Sequence, residues 1–460
     1  MTMQEYENFI FNKSTSIISS GFDISKKELN KNLYEFQKDI VRWALKKGKA
    51  AIFADCGLGK TIMQLEWANK VYEHTGKNVL ILAPLAVSTQ TKMEGKTFGI
   101  DVNICESQSD VVPGINITNY EKLDKFVANE FGGIVLDESS ILKSFTGKIR
   151  NQIIENFSHC PFRLACTATP APNDYMELGN HAEFLGIMTR NEMLSMYFIH
   201  DGSDTSKWRL KGHADKIFWQ WMASWCVFID NPNSLGYEID GYTLPKLNIF
   251  EIIADGTDFS NDKLTLTQRR NVRKETLNIR CQKAADIVNS SNEQWLIWCS
   301  LNDESAKLKE YINESYEVKG SDNSKYKAET MIKFSNNEIK SLVTKPSIAG
   351  FGMNWQQCNN MIFVGLSDSY EQYYQAIRRC WRFGQVKEVN VYIILSAKEG
   401  TVKENIARKE EDAKYMQSQM VELTKEITQK ELHSTSRIVT EYIPQIEMIL
   451  PKWEEMICKL

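Results

Sequence analysis

Two glycines, Gly57 and Gly59, precede Lys60 and Thr61 in the stretch Ala54-Asp55-Cys56-Gly57-Leu58-Gly59-Lys60-Thr61. These residue types at this spacing suit a polyphosphate. Closely spaced glycines let backbone N–H groups converge on phosphate oxygens. The Lys60 ammonium can reach the β- and γ-phosphates, and the Thr61 hydroxyl can hold Mg²⁺. Ala54 stands where the usual eight-residue pattern opens with glycine. A second set is Asp137 and Glu138, which close the apolar run Gly133-Ile134-Val135-Leu136. Asp137 would hold Mg²⁺, directly or through water, and Glu138 would orient and deprotonate an attacking water. A third set lies far downstream. Arg379 and Arg382, three residues apart after Gln375, share a helix face and could stabilise charge on a transferring phosphoryl group. Gln37, upstream of the glycines, carries a donor and an acceptor on one amide and could read adenine.

These groups need strands and helices to aim them. Residues 50–53 read as a buried strand and residues 62–68 as a helix whose N-terminus adds positive potential at the glycines. Further strands are expected at residues 79–84, ending in a proline, at 115–120, at 133–136, and at 163–166 running into Thr167-Ala168-Thr169-Pro170. A second series is expected at residues 294–300, 341–344, 361–364 and 389–395, with a glycine loop, Gly350-Phe351-Gly352-Met353-Asn354-Trp355, among them. Strands alternating with helices predict an α/β protein with mostly parallel, covered sheets that bind ligands at their carboxyl edges. Between the two series Trp208, Trp219, Trp221 and Trp225 crowd together. Core packing is their favoured reading, and Lys207, Arg209, Lys211 and Lys216 keep a nucleic-acid stacking surface open as the sharper one. Arg269, Arg270, Arg273 and Lys274 read as a solvated helix face, and the chain beyond Thr401 as a charged, exposed helix.

A chain of 460 residues predicts two domains plus insertions. Its net charge of -4 excludes a global basic field, so any nucleic-acid contact must be a local patch. Ten cysteines without a CxxC pair and six histidines give no zinc spacing and predict reduced thiols in the cytoplasm. No secretory signal and no membrane-length apolar run are present, so no membrane association is expected.

Taken in order, these residues resemble a superfamily 2 helicase, most closely its Snf2-like branch, over residues 33–175 and 294–395. Phe36-Gln37 resembles the adenine motif, with Tyr34-Glu35 in place of the usual Arg-Pro, and residues 54–61 resemble motif I. Leu82-Ala83-Pro84 is similar to motif Ia. The segment Asp137 to Ser140 takes the place of the Asp-Glu-x-His box, with Ser140 where His is common. Thr167-Ala168-Thr169-Pro170 with Asn173 is similar to motif III, Gly350, Gly352 and Asn354 to motif V, and Gln375, Arg379, Arg382, Gly384 and Gln385 to motif VI. The short Trp-rich insertion looks like that of compact phage-encoded members, which would place the protein in a host-cell cytoplasm.

The resemblance implies two RecA-like lobes with ATP and Mg²⁺ between them. Gln37, Gly57, Leu58, Gly59, Lys60, Thr61, Gly352 and Gln375 would line the nucleotide. Arg379 and Arg382 would complete the site from the second lobe. Pro84, Asn119, Tyr120, Ser300, Thr344, Lys345 and Asn354 would grip a nucleic-acid backbone by motif position. The expected division is a first lobe over residues 1–190, a helical Trp-rich insertion over 191–280, a second lobe over 281–425 and a helical extension over 426–460. The leading expectation is an ATP-dependent translocase or helicase on duplex or single-stranded DNA. The alternatives are an RNA-dependent ATPase, an ATP-controlled binding switch, and a motor subunit of a larger complex.

Overall fold

The computed structural model describes residues 19–84, 87–144, 147–172, 174–200, 208–255, 265–349, 353–367 and 369–433. Lys207, Asn173, Gly350, Gly352 and the end of the chain beyond residue 433 lie outside them.

Seven strands form the first sheet: β1 (Lys49–Ala54), β2 (Val79–Ala83), β3 (Val102–Ile104), β4 (Ile115–Asn119), β5 (Gly133–Asp137), β6 (Phe162–Thr167) and, after a hairpin of β7 (Phe198–His200) and β8 (Trp208–Leu210), β9 (Cys226–Ile229). Their order is β3-β4-β2-β5-β6-β1-β9, every pairing parallel. The residues of β2, β4, β5 and β6 are buried from end to end, as parallel strands covered on both faces must be. One face packs under α1 (Glu35–Lys47) and α2 (Lys60–Thr75) through Phe36, Ile40, Leu65 and Trp67. The other packs Phe53, Leu82 and Leu136 against α3 (Leu178–Leu185) and α4 (Asp215–Ala223).

The second sheet joins β10 (Leu247–Ile253), β11 (Trp295–Cys299), β12 (Ser315–Glu317), β13 (Ser341–Thr344), β14 (Asn360–Val364) and β15 (Val389–Leu395) in the order β10-β15-β14-β11-β13-β12. It too is parallel throughout. Helices α5 (Leu277–Asn289) and α6 (Asn302–Tyr311) cover one face, and α7 (Tyr370–Ile377) packs on the other. The fold is therefore two RecA-like α/β lobes, as expected.

The stretch 191–280 differs from the separate helical insertion expected there. Its strand β9 extends the first sheet beside β1, and its strand β10 is the edge of the second sheet beside β15. The reason is in the residues. Cys226-Val227-Phe228-Ile229 is apolar enough to bury completely, yet it follows directly on a Trp-rich helix that masks its period. Trp219, Trp221 and Trp225 are core residues, 2%, 4% and 0% exposed, so the stacking surface does not include them. Arg273, in the cluster read as a solvated face, pairs with the fully buried Glu399 at 2.7 Å.

The last helix, α8 (Gly400–His433), runs across the boundary expected at 425, which falls in its last third. Val402 and Ile406 lie in the second-lobe core, whereas Met420 and Val421 lie in a first-lobe core and Leu432 in the core on the other face of that lobe. It runs as a strap from the second lobe back to the first. Among the described residues no helix is long and apolar enough to cross a membrane.

Candidate active site between the two lobes

The loop after β1 turns on Gly57 (φ +89°) and Gly59 (φ +77°), both in the left-handed region that glycine enters without steric cost. Gly59 is the residue preceding α2, so the first N–H groups of that helix open onto the loop. Both glycines are also close approaches. A Cβ on Gly59 would sit 2.3 Å from Gln37 Nε2, and one on Gly57 would sit 3.0 Å from the Phe383 backbone nitrogen of the second lobe. Lys60 Nζ donates to the Ala54 and Asp55 carbonyls at 2.8 and 3.2 Å, which holds the ammonium across the loop. Gln37 ties α1 to this loop: its Nε2 donates to the Leu58 carbonyl at 3.0 Å, and its Oε1 accepts from the Tyr34 N–H at 3.0 Å. In this conformation both polar ends of the amide are bonded within the chain.

The tips of β5 and β6 lie beside the loop, because β6 separates β5 from β1. Asp137 is buried, and burial first and the neighbouring Glu138 second push its carboxyl up to about 7, while Lys60 pulls it down. Glu138 occupies the left-handed region at φ +54°, ψ +54°, an uncommon conformation for a side chain of its size. This turn sets its carboxylate toward Thr167, whose Oγ1 lies 3.5 Å from Glu138 Oε2. The next residue is pinned from behind: Ser139 Oγ is 3.1 Å from Nε2 of the fully buried His181 on α3.

From the second lobe, Arg382 approaches the phosphate loop, its Cβ 3.6 Å from where a Cβ on Gly57 would lie, with Gln375 and Arg379 just before it in the chain. Gln375 is 1% exposed, and neither atom of its amide has a partner. Arg379 donates to the Gln375 and Met353 carbonyls at 3.0 and 2.9 Å, and Arg382 reaches the Met353 carbonyl at 3.4 Å. Among the described residues no carboxylate pairs with either. Burial and the adjacent Arg379 pull the Arg382 guanidinium down to about 10, the state of a cation that lacks its anion. The second lobe is anchored on the loop by a different arginine. Arg378 donates to Asp55 Oδ2 at 2.8 Å and to the Cys56 carbonyl at 2.7 Å.

The site thus offers converging N–H groups, an ammonium and the Arg382 guanidinium to an anion, with a buried, under-ionised carboxylate beside the loop that a cation would relieve. Among the described residues no three His, Cys, Asp or Glu side chains form a metal cage. Mg²⁺ needs none, since it takes one or two protein oxygens and completes its shell with phosphate and water. Thr61 and Asp137 fit that role.

Two family models match the chain: "Type III restriction enzyme, res subunit" over residues 26–172, and "Helicase conserved C-terminal domain" over residues 279–384. The chain belongs to the superfamily 2 helicases. Its two matched segments are the domains of an NTP-hydrolysing helicase-type enzyme, and each lies in one of the two lobes. Among solved structures it is similar to the Sulfolobus solfataricus SWI2/SNF2 ATPase core in complex with dsDNA, at 18% identity and a TM-score of 0.43, over 90% of this chain and all of that one. No curated protein matches it in sequence.

The residues assigned to nucleic acid scatter differently in this helicase from what their motif positions suggest. Tyr120 is interior, its hydroxyl donating to the Asp137 carbonyl at 2.7 Å, and Thr344 is fully buried, its hydroxyl donating to the Val318 carbonyl at 3.1 Å. Both strengthen strand ends and neither faces outward. Asn119 is buried with its Oδ1 unpartnered. Ser300 and Lys345 line a cavity of about 120 Å³ at the carboxyl edge of the second sheet, and Asn354 is exposed. Sequence reading missed Asp55, Tyr374, Arg378 and His181. Asp55 stood inside the quoted phosphate loop, and its charge was the available signal; the other three carry none without their neighbours.

Proposed function

We propose that this chain is a Snf2-like, ATP-driven translocase that moves along duplex DNA. The carrying observation is the approach of the second-lobe arginine segment to the phosphate loop: Arg382 Cβ would lie 3.6 Å from a Cβ on Gly57, Arg379 is buried beside it, and among the described residues no carboxylate pairs with either. That arrangement suits the charge that spreads over a transferring phosphoryl group. Residues 57–61 cradle the phosphates. Glu138, turned toward the β6 tip, orients the attacking water and takes its proton. Arg379 and Arg382 take up developing charge from the opposite side. Thr61 and Asp137 would hold Mg²⁺, which would neutralise charge on the phosphates. The resemblance to Snf2-like motifs supports duplex DNA as the track. Pro84, Ser300, Lys345 and Asn354 remain the contacts for its backbone, a grip that is sequence-independent and weakens with salt.

ATP turnover measured alone and with duplex DNA, single-stranded DNA or RNA tests the proposal, with Glu138→Gln as the blank. Duplex DNA is expected to stimulate the wild type most, and Glu138→Gln to bind ATP without turnover. Stimulation by single strands or RNA alone would replace the duplex reading, and stimulation by none would leave an ATP-controlled switch. Undiminished turnover in Glu138→Gln would remove it as the base.

A further inference from the structure

We infer that Asp55, Tyr374 and Arg378 form a latch between the lobes that positions the arginine-bearing segment of the second lobe on the phosphate loop before nucleotide arrives. Asp55 accepts from both partners: Tyr374 Oη donates to its Oδ1 at 2.6 Å, and Arg378 donates to its Oδ2 at 2.8 Å. The pair is buried, with 11% of the Asp55 side chain and 6% of the Arg378 side chain exposed. Arg378 is further fixed by the Cys56 carbonyl and by the Trp381 and Tyr374 rings, whose centroids lie 5.2 and 5.8 Å from its guanidinium carbon.

The latch belongs to one helix face. Glu371, Tyr374 and Arg378 stand at helical spacings of three and four on and just beyond α7. Glu371 takes Lys143, just past the Asp-Glu strand tip, and lies 3.5 Å from the Thr169 hydroxyl at the end of β6. The same face therefore touches the segments that follow β1, β5 and β6. On the phosphate loop it uses atoms of residues 55 and 56 only, upstream of the glycines, so it leaves the cradle itself to a ligand. Arg379 and Arg382 follow directly in the chain, past the end of α7 at Ile377. The approach of Arg382 to Gly57, where its Cβ would lie 3.6 Å from a Cβ, is what the latch holds in register.

A buried ion pair across two lobes differs from one inside a core. Removal of one partner leaves a charge that hydrates by letting the lobes part, in place of unfolding. The nucleotide-free wild type should therefore be closed, and Asp55→Asn open. The kinetic half of the inference rests on the ATPase reading above; the structural half does not. In small-angle scattering of the full chain without nucleotide, Asp55→Asn and, more weakly, Tyr374→Phe should raise the radius of gyration. At saturating ATP, kcat of Asp55→Asn should fall about tenfold or more, while the Kd of a non-hydrolysable ATP analogue moves no more than about threefold. Arg378→Gln should lose as much, and the double variant no more than either. An unchanged radius in Asp55→Asn, an unchanged kcat, or losses that multiply in the double variant would overturn the latch. Scattering needs no nucleotide. A wild type without turnover that still opens on Asp55→Asn would discard the ATPase reading and leave the lobe contact standing.

Discussion

His181 shows how a single side chain in the first lobe carries a pH dependence. It lies on α3 with its ring edge-on to Phe53, at 5.1 Å and 84°, and its Nε2 against Ser139. Burial pushes its pKa from 6.5 down to about 4. The folded state then binds fewer protons than the unfolded chain between those values. Its contribution is full above pH 6.5 and is lost as pH falls through 4, by about 3 kcal/mol at most. Urea midpoints of the wild type should fall more steeply over that window than those of His181→Gln. Parallel curves would show that the imidazole does not titrate with folding. Asp137 has the opposite sign, because its raised pKa weakens the fold as pH rises through about 7. The difference between the two proteins isolates the histidine. The same bond to Ser139 braces the turn that holds Glu138 at positive φ, so a core contact and the proposed base share one short segment.

At the scale of elements, the carboxyl edge of the second sheet is organised by Arg280 of α5 and Glu304 of α6. Both are fully buried and 2.8 Å apart. Glu304 also accepts from the Ser300 and Leu301 N–H groups, each at 2.9 Å, and so caps α6 and fixes the loop that carries Ser300. Arg280 bonds the Val364 carbonyl at 3.1 Å and the Arg273 carbonyl at 2.7 Å, joining α5 to the end of β14. Glu304→Gln strands the guanidinium in the interior and should cost about 3–5 kcal/mol in urea unfolding. Adding Arg280→Met should restore most of that, since the buried charge is then gone. A double variant no better than the single one would place the cost in the cap. Neither residue stands out in sequence, because α5 and α6 are adjacent elements whose charges look solvated until the helices pack.

For the whole molecule, α8 is a span of about 50 Å rooted in one lobe and docked on the other. Met420 and Val421 sit in the first-lobe core beside Trp219 and Trp221, while Val402 and Ile406 stay in the second. Met420→Ala with Val421→Ala removes apolar contact worth roughly 2–5 kcal/mol from the far end only. Amide exchange should accelerate over residues 416–432 and stay unchanged over 400–408, with both lobes still folded. Uniform acceleration would mean that the helix opens as one unit with the second lobe. A strap of this kind limits how far the lobes separate when the Asp55 contacts break.

Much of this architecture was legible in the residues alone. The phosphate loop, the Asp-Glu strand end and nine of the strands were readable from local apolar runs that stop at glycine, proline, hydroxyl or carboxylate, since a strand and the turn after it are encoded by neighbours in sequence. The short edge strands β3 and β12 carry too few residues to show a period, and β9 and β10 lay hidden in a stretch read as insertion. Which lobe each of these joins is a pairing between segments far apart in the chain. The same limit applies to the arginines. Arg378, Arg379 and Arg382 lie within five residues, and sequence spacing singles out the second and third. Only the docking of α7 on the first lobe decides that Arg378 meets Asp55 while Arg379 turns to the Met353 carbonyl, because adjacent helical positions point about 100° apart. Local chemistry is written in the order of the residues; the partner of each charge is set by packing.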